Sequence, residues 1–364
     1  MPSSGKPFPQ NVIAVIWDFD KTLISGNMQA PLFRAYGVDE DEFWDEVNTL
    51  PAFYAAHGYP LFSKDTAYLS HILTYVKEGK FDDLSNKKLR ELGAEIEFFP
   101  GLPDFFRELK ETIEDNPTFA QRDIKLEHYI VSTGLRQMVH GSRIDPYVEG
   151  VWACELLGVA APVGLKPGKQ KGDPKTAASA PLTGIAYAID NTTKTRAVFE
   201  INKGVNMHSE IDVNARMAPE ARRVPFEHMI YIADGPSDVP VFSVVKQYGG
   251  RTFAVYPPGA TKPEFRQVME LQAQERVLAF GPADYQPGTH THRCLTTWAE
   301  QIAEAIAKRW QTVLGDSLGN PPTHLPPEKG VPTKESEAPA EASEPVEKKD
   351  VDPSQRPEAD SPPA

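Results

Sequence analysis

The stretch that most constrains this chain is residues 12–22, VIAVIWDFDKT. Val12, Ile13, Val15 and Ile16 form a short apolar run rich in β-branched residues. Such a run reads as a strand covered on both faces, as in the middle of a parallel sheet. It stops at Asp18-Phe19-Asp20, with Thr22 two residues on. Two carboxylates cannot stay in an apolar core, so the chain must be leaving the sheet at its carboxyl-terminal edge. In open α/β folds that edge is where ligands bind. Asp18 and Asp20 stand at i and i+2, close enough to share one metal ion while facing different directions. The plainer alternative is an ordinary polar strand-to-loop turn, where aspartate is common. The later strand ends argue against it.

Residues 24–97 are aromatic-rich and read as mostly helical. One helix is expected over 41–50 and a second over 66–77, with Tyr68, Leu69, Ile72, Leu73 and Val76 at helical spacing. Ser85 caps a third, striped by Leu89, Leu92 and Ile96. The block separates the first strand from its crossover helix, expected over 103–113 with Phe105, Phe106, Leu109 and Ile113 inward. It therefore reads as a helical cap inserted after the first strand.

A second core strand is expected over 126–131, ending in Ser132-Thr133-Gly134, with a helix near 135–141. Short strands at 151–156 and 184–189 flank a Gly/Pro/Lys loop. Its Lys166, Lys169, Lys171 and Lys175 read as a solvated face rather than a phosphate-attracting rim. Lys194 opens a helix, and the strand 229–233 ends in Asp234-Gly235-Pro236-Ser237-Asp238. Strands at 252–256 and 277–280 alternate with helices at 263–274 and 296–310. This alternation predicts an α/β fold, a doubly wound, mainly parallel sheet with right-handed crossovers. The expected division is a core of 11–23 and 98–312, a cap of 24–97 and a tail of 321–364.

The tail has eleven prolines, ten acids against five bases and no aromatic residue, so it supplies −5 of the net charge of −13. It cannot bury enough apolar surface to offset the entropy of ordering, and it reads as disordered. A solubilising role is expected there, with room for a protein partner. The acidic balance argues against a nucleic-acid partner, which needs a Lys/Arg surplus. Cys154 and Cys294 stand far apart, in no zinc spacing and with no disulfide framework around them. The opening MPSSGKPFPQ lacks the apolar stretch of a signal peptide, and no run of 18 apolar residues predicts a membrane span. The expectation is a cytoplasmic protein.

Three buried-looking strands thus end in polar groups: Asp18 and Asp20, Ser132, and Asp234 with Asp238. Lys194 starts a helix entering the same sheet. In a parallel sheet these ends share one edge and can meet in one crevice. Three carboxylates make a hard oxygen site suited to Mg²⁺ with a substrate phosphate. A hydroxyl and a lysine suit the remaining phosphoryl oxygens, and a carboxylate kept ionised beside them can act as a nucleophile.

DFDKTL and DGPSD at these strand ends, with Ser132 and Lys194 between them, resemble the haloacid dehalogenase superfamily. The inserted helical block is similar to the cap of its phosphoserine-phosphatase-like branch. The resemblance spans roughly residues 11–309. It implies that Asp18 is the nucleophile that becomes an aspartyl-phosphate and that Asp20 is the general acid and then base. It also implies that Asp18, the backbone carbonyl of Asp20, and Asp234 bind Mg²⁺, with Asp238 supporting that shell or the lysine. Ser132 and Lys194 would hold the phosphoryl group, with Thr133 and Lys203 as less favoured candidates for the same two roles. The long stretch between Lys194 and Asp234 implies an insertion near 206–225. The activity implied is Mg²⁺-dependent hydrolysis of a small soluble phosphomonoester. A phosphotransferase or nucleotidase would share the site, and a non-catalytic phosphate-binding protein would share the fold.

Three weaker signals complete the reading. His290 and His292 have metal-pair spacing but no third ligand nearby, and read as a surface loop before the last helix. Trp44, Phe53, Tyr54, Tyr59, Phe62 and Tyr68 read as cap core rather than as a substrate pocket. Arg136, just past Ser132, reads equally as a substrate contact or as an exposed helix charge.

Overall fold

The computed structural model describes residues 8–166, 168 and 172–317. The expected tail, any partner it could take, and Lys169 and Lys171 lie outside the described residues. All six side chains of β1 (Val12–Trp17) are buried, as its unbroken apolar run requires. Four inserted helices follow: α1 (Ala30–Tyr36), α2 (Glu40–Ala56), α3 (Ala67–Lys77) and α4 (Asn86–Gly93). The Ser85 hydroxyl caps α4 by accepting the Lys88 N–H, and Leu89, Leu92 and Ile96 are buried below it. Next come α5 (Asp104–Glu114), α6 (Pro117–Ala120), β2 (Lys125–Leu135), α7 (Arg136–Gly141) and β3 (Gly150–Leu157). Then α8 (Pro174–Ser179), β4 (Gly184–Tyr187), α9 (Thr193–Lys203) and β5 (Met229–Ala233) lead to α10 (Val239–Gln247) and β6 (Arg251–Tyr256). The last elements are α11 (Lys262–Ala273), β7 (Ala279–Pro282) and α12 (His290–Ser317).

The sheet runs in the order β4-β3-β2-β1-β5-β6-β7, parallel throughout except for β4, which pairs antiparallel with β3. It is the doubly wound, mainly parallel sheet that the strand–helix alternation predicts. Helices α5 and α12 cover one face, and α9, α10 and α11 cover the other. Trp17 shows why β1 sits in the middle: it stacks on Phe106 and meets Phe105 and Tyr285 edge-on. The sheet and the inserted helices belong to one compact unit, Met1–Ser317.

Several expectations need correction. Helix α1 is not among the three helices expected in the 24–97 block: APLFRAY is only seven residues long, carries Pro31 in its first turn and stops at Gly37 in the left-handed region. Helix α2 runs six residues past 50, through Pro51, which reads as a stop and here costs one backbone hydrogen bond. Strand β2 continues past Ser132 to Leu135 because β3 takes it up again after a register shift. The run VPVFSVVKQ forms α10, which the sequence reading does not assign. Strand β7 lies two residues later than expected, and α12 begins at His290, six residues earlier.

Candidate active site

Strand β1 pairs with β2 on one side and β5 on the other, and Trp17 stands level with both Ile130 and Ile232. Asp18 is therefore the first residue beyond the paired run, its N–H donating to the Ile232 carbonyl at 2.9 Å. Ser132 and Asp234 each lie two residues past their level positions. All three come to the carboxyl edge where the chain leaves β1 in opposite directions, the place such sheets use for ligands.

Lys194, on the first turn of α9, reaches into this edge from the opposite side of the chain. Its Nζ donates to Asp18 Oδ1 at 2.9 Å and to Asp238 Oδ1 at 2.8 Å, and all three side chains are buried. Asp238 accepts two further bonds, from Tyr231 Oη at 2.5 Å and Ser237 Oγ at 2.7 Å. Three donors on one buried carboxylate fix its orientation. Burial and the neighbouring Asp238 push the Asp18 carboxyl up to about 6, against the pull of Lys194. Asp234 rises to about 8 through burial and the charges of Asp18 and Asp238. Burial alone would weaken the Lys194 ammonium, but Asp18 and Asp238 outweigh it and hold its pKa above the ordinary lysine range.

Asp18, Asp234 and Asp238 each offer an oxygen within 4.8 Å of the others. Three carboxylates gathered around one lysine leave negative charge uncompensated in a desolvated place, and a hard divalent cation fits that donor set. The Asp20 side chain is not among them. It turns toward the insertion, where Oδ1 accepts the Met28 N–H at 2.8 Å. Burial, then the Asp18 charge, lift its carboxyl to about 7.

Ser132 is buried, and its Oγ accepts the Gly134 N–H at 3.0 Å, which leaves its own proton free to donate. The neighbouring Thr133 carbonyl accepts from Tyr68 Oη at 2.6 Å and from Cys154 Sγ at 3.3 Å. Lys203 lies away from this edge. Its Nζ binds the Val213 and Ala215 carbonyls, so it pins the 206–225 insertion rather than holding a phosphoryl group. Arg136 pairs with Glu155 at 3.2 Å.

His290 and His292 stand on the first turn of α12, not in a surface loop. His292 Nε2 meets Glu108 at 3.0 Å and its ring packs on Phe105. The aromatic set divides in a way the sequence does not foresee. Tyr68 is buried and reaches β2, Trp44 packs on Phe33 and Phe43, while Phe53 and Tyr59 are mostly exposed. Met28, Tyr231 and Ser237 contribute to the site although the sequence assigns none of them a role. Tyr231 was the findable one, because a tyrosine inside a buried strand needs a partner for its hydroxyl.

No family model matches the sequence. A protein of Borreliella burgdorferi described as "Uncharacterized protein" is 41% identical over 283 residues, covering 77% of this chain and 94% of that one. The two belong to one family. Among solved structures, similarity is found to a HAD family hydrolase of Salmonella enterica serovar Typhi, with a TM-score of 0.44 and 13% identity over 76% of this chain and 69% of that one. A phosphoserine phosphatase holding a phospho-aspartyl intermediate analogue gives 0.39 and 17%, over 74% and 93%. A probable phosphoserine phosphatase of Vibrio cholerae gives 0.44 and 12%, over 82% and 68%. Likeness at these scores is too loose to carry chemistry, which is read from the site's own residues. Among the described residues no helix is long and apolar enough to cross a membrane.

Proposed function

We propose that this chain is a Mg²⁺-dependent phosphomonoesterase of the haloacid dehalogenase superfamily, acting in the cytoplasm on a small phosphorylated molecule. The reading is carried by one observation. Lys194 bridges Asp18 and Asp238 inside a cluster completed by Asp234, while Asp20 is held apart from that cluster. Asp18, Asp234 and Asp238, with the backbone carbonyl of Asp20, are the groups that would hold Mg²⁺. Bound there, the ion would neutralise charge on the phosphoryl oxygens.

In this reading an Asp18 oxygen attacks phosphorus while the bond to the leaving oxygen breaks, and that oxygen keeps the electron pair and takes a proton from Asp20. The phosphoryl group then rests on Asp18. Asp20, now a carboxylate, takes a proton from water as the water oxygen attacks phosphorus. The bond to Asp18 breaks, releasing inorganic phosphate and restoring both side chains. Ser132 and Lys194 hold the phosphoryl oxygens during both steps.

The test is phosphate release from a panel of phosphomonoesters, with and without Mg²⁺, by wild type and Asp18→Asn. Mg²⁺-dependent release that vanishes in the variant is expected. A folded wild type that binds Mg²⁺ and phosphate but releases none would favour a non-catalytic phosphate-binding protein. Release that survives in Asp18→Asn would remove Asp18 as the nucleophile.

A further inference from the structure

Asp20 is aimed from the inserted segment, not from the sheet. The N–H it accepts belongs to Met28, two residues before α1. Met28 is itself held by its side chain. It is fully buried, and its Sδ accepts the Leu135 N–H at 3.0 Å. Its thioether also fills the space beside Gly134: a Cβ built on that glycine would lie 2.2 Å from Met28 Cε and 2.5 Å from Sδ. Gly134 and Leu135 close β2, immediately after Ser132 and Thr133. A second inserted residue, Tyr68 on α3, donates to the Thr133 carbonyl at 2.6 Å. Two side chains of the insertion thus grip one strand end, and one of them carries on its backbone the bond that orients Asp20.

We infer that Met28 is a positioning residue for Asp20: seated on Gly134 and Leu135, it sets where Asp20 delivers its proton to the leaving oxygen. The inference rests on the phosphatase reading above. An unbranched thioether adapts to an irregular gap, so the location of the Met28 amide follows from how its side chain is anchored. Losing the anchor frees the 25–28 segment and lets Asp20 drift. General acids act over hydrogen-bond distances, and a misplacement of about 1 Å can cost on the order of a hundredfold. The cost falls where proton transfer matters most. An alkoxide leaves poorly without a proton, whereas p-nitrophenolate leaves readily without one.

The experiment compares kcat on p-nitrophenyl phosphate with kcat on an alkyl phosphate that the wild type turns over, using the full chain with Mg²⁺. Met28→Ala is expected to lower kcat on the alkyl ester about 10- to 100-fold and on p-nitrophenyl phosphate by less than about threefold. Met28→Leu, which keeps the volume but cannot accept the Leu135 N–H, is expected to fall between wild type and Met28→Ala on the alkyl ester and to stay near wild type on p-nitrophenyl phosphate. Gly134→Ala, which evicts the thioether, reproduces the selective loss, and the double variant loses no more than the worse single, because both break the same seat. Equal losses on the two esters, or losses that multiply, would overturn the inference. Should Met28→Ala fail to fold by circular dichroism, Met28→Val, too short to reach Leu135, takes its place with the same expected selectivity. A wild type that hydrolyses neither ester sinks the phosphatase reading instead, before any variant is compared.

Discussion

Lys194 Nζ stands 2.9 Å from Asp18 Oδ1 although 176 positions separate the two in sequence, and a second bond of 2.8 Å ties the same ammonium to Asp238. Among the described residues the lysine is the single positive charge bonded to that buried carboxylate pair, so removing it strands both acids. Breaking such a pair by deleting one partner typically costs about 3–5 kcal/mol. Lys194→Met is expected to lose stability of that order in metal-free buffer, measured by urea unfolding, and to lose turnover. Saturating Mg²⁺ should recover part of the stability, because a ligand that binds only the folded state stabilises it by mass action.

His128, buried on β2, accepts the Trp17 indole N–H at Nδ1 (3.2 Å) and faces the Phe106 carbonyl with Nε2 at 3.0 Å. Both contacts suit the neutral ring, and burial depresses its pKa from 6.5 to about 3, with the Lys110 charge adding a little and the Phe106 bond opposing. A base whose folded pKa is lowered contributes stability that is intact above its unfolded pKa. That contribution is lost as pH falls through about 6.5 toward 3. By pH 5 the loss from this one group is about 2 kcal/mol. The raised carboxyls of Asp18, Asp20 and Asp234 work the other way, favouring the fold as pH drops. A comparison with His128→Phe cancels them. The gap between wild type and variant should shrink from pH 7.5 to 5 in metal-free unfolding titrations, and a constant gap would refute the assignment.

Arg223 forks onto both oxygens of Glu127, and Tyr129 also donates to that carboxylate, all within β2 and the 206–225 insertion. Burial alone would weaken the guanidinium, and Glu127 more than restores its charge. The pair ties the insertion to β2, where the Asn206 amide also donates to Tyr129 Oη, and Lys203 and Asn202 tie it to α9. Arg223→Met should leave Glu127 buried and unpaired, at a cost of about 3–5 kcal/mol, and should open the segment around 206–218 to protease. Limited proteolysis with mass spectrometry reads this directly, and a cleavage pattern like that of wild type would count against the tether.

Helix α4 of the insertion crosses α7 so closely that a Cβ on Gly141 would lie 1.8 Å from the Arg90 carbonyl oxygen. Backbone, unlike a flexible side-chain tip, cannot step aside. Gly141→Ala should force the helices apart at a cost of about 1–3 kcal/mol. Because α7 follows directly on the strand end that carries Ser132, turnover should fall alongside the melting temperature. Unchanged melting would mean that the crossing relaxes freely.

Much of the architecture was legible in the chain. The apolar runs at 12–17 and 229–233 are short, β-branched and ended by aspartates, a pattern that a buried parallel strand and its carboxyl edge impose over neighbouring residues. The inward faces of α5 and the Ser85 cap followed from local periodicity in the same way. Less legible were elements whose local signals conflict: α2 continuing through Pro51, α10 built from a strand-like VPVFSVVKQ, and α12 starting at His290. There tertiary packing overrode propensity.

The site divides along the same line. By itself the sequence determined which side chains stand at strand ends, because apolar period and residue type are set by near neighbours. Only the tertiary structure decided that Lys194 bridges Asp18 to Asp238 while Lys203 pins a distant loop. It also decided that Asp20 leaves the acidic cluster for the Met28 amide, and that Tyr68, while packed in the cap core against Trp44, sends its hydroxyl to the Thr133 carbonyl. Those choices join residues 65 or more positions apart, or turn on which nearby group offers a donor once water is excluded. A buried charge or hydroxyl must take whatever partner the packed chain brings within about 3 Å, and no local pattern encodes that meeting.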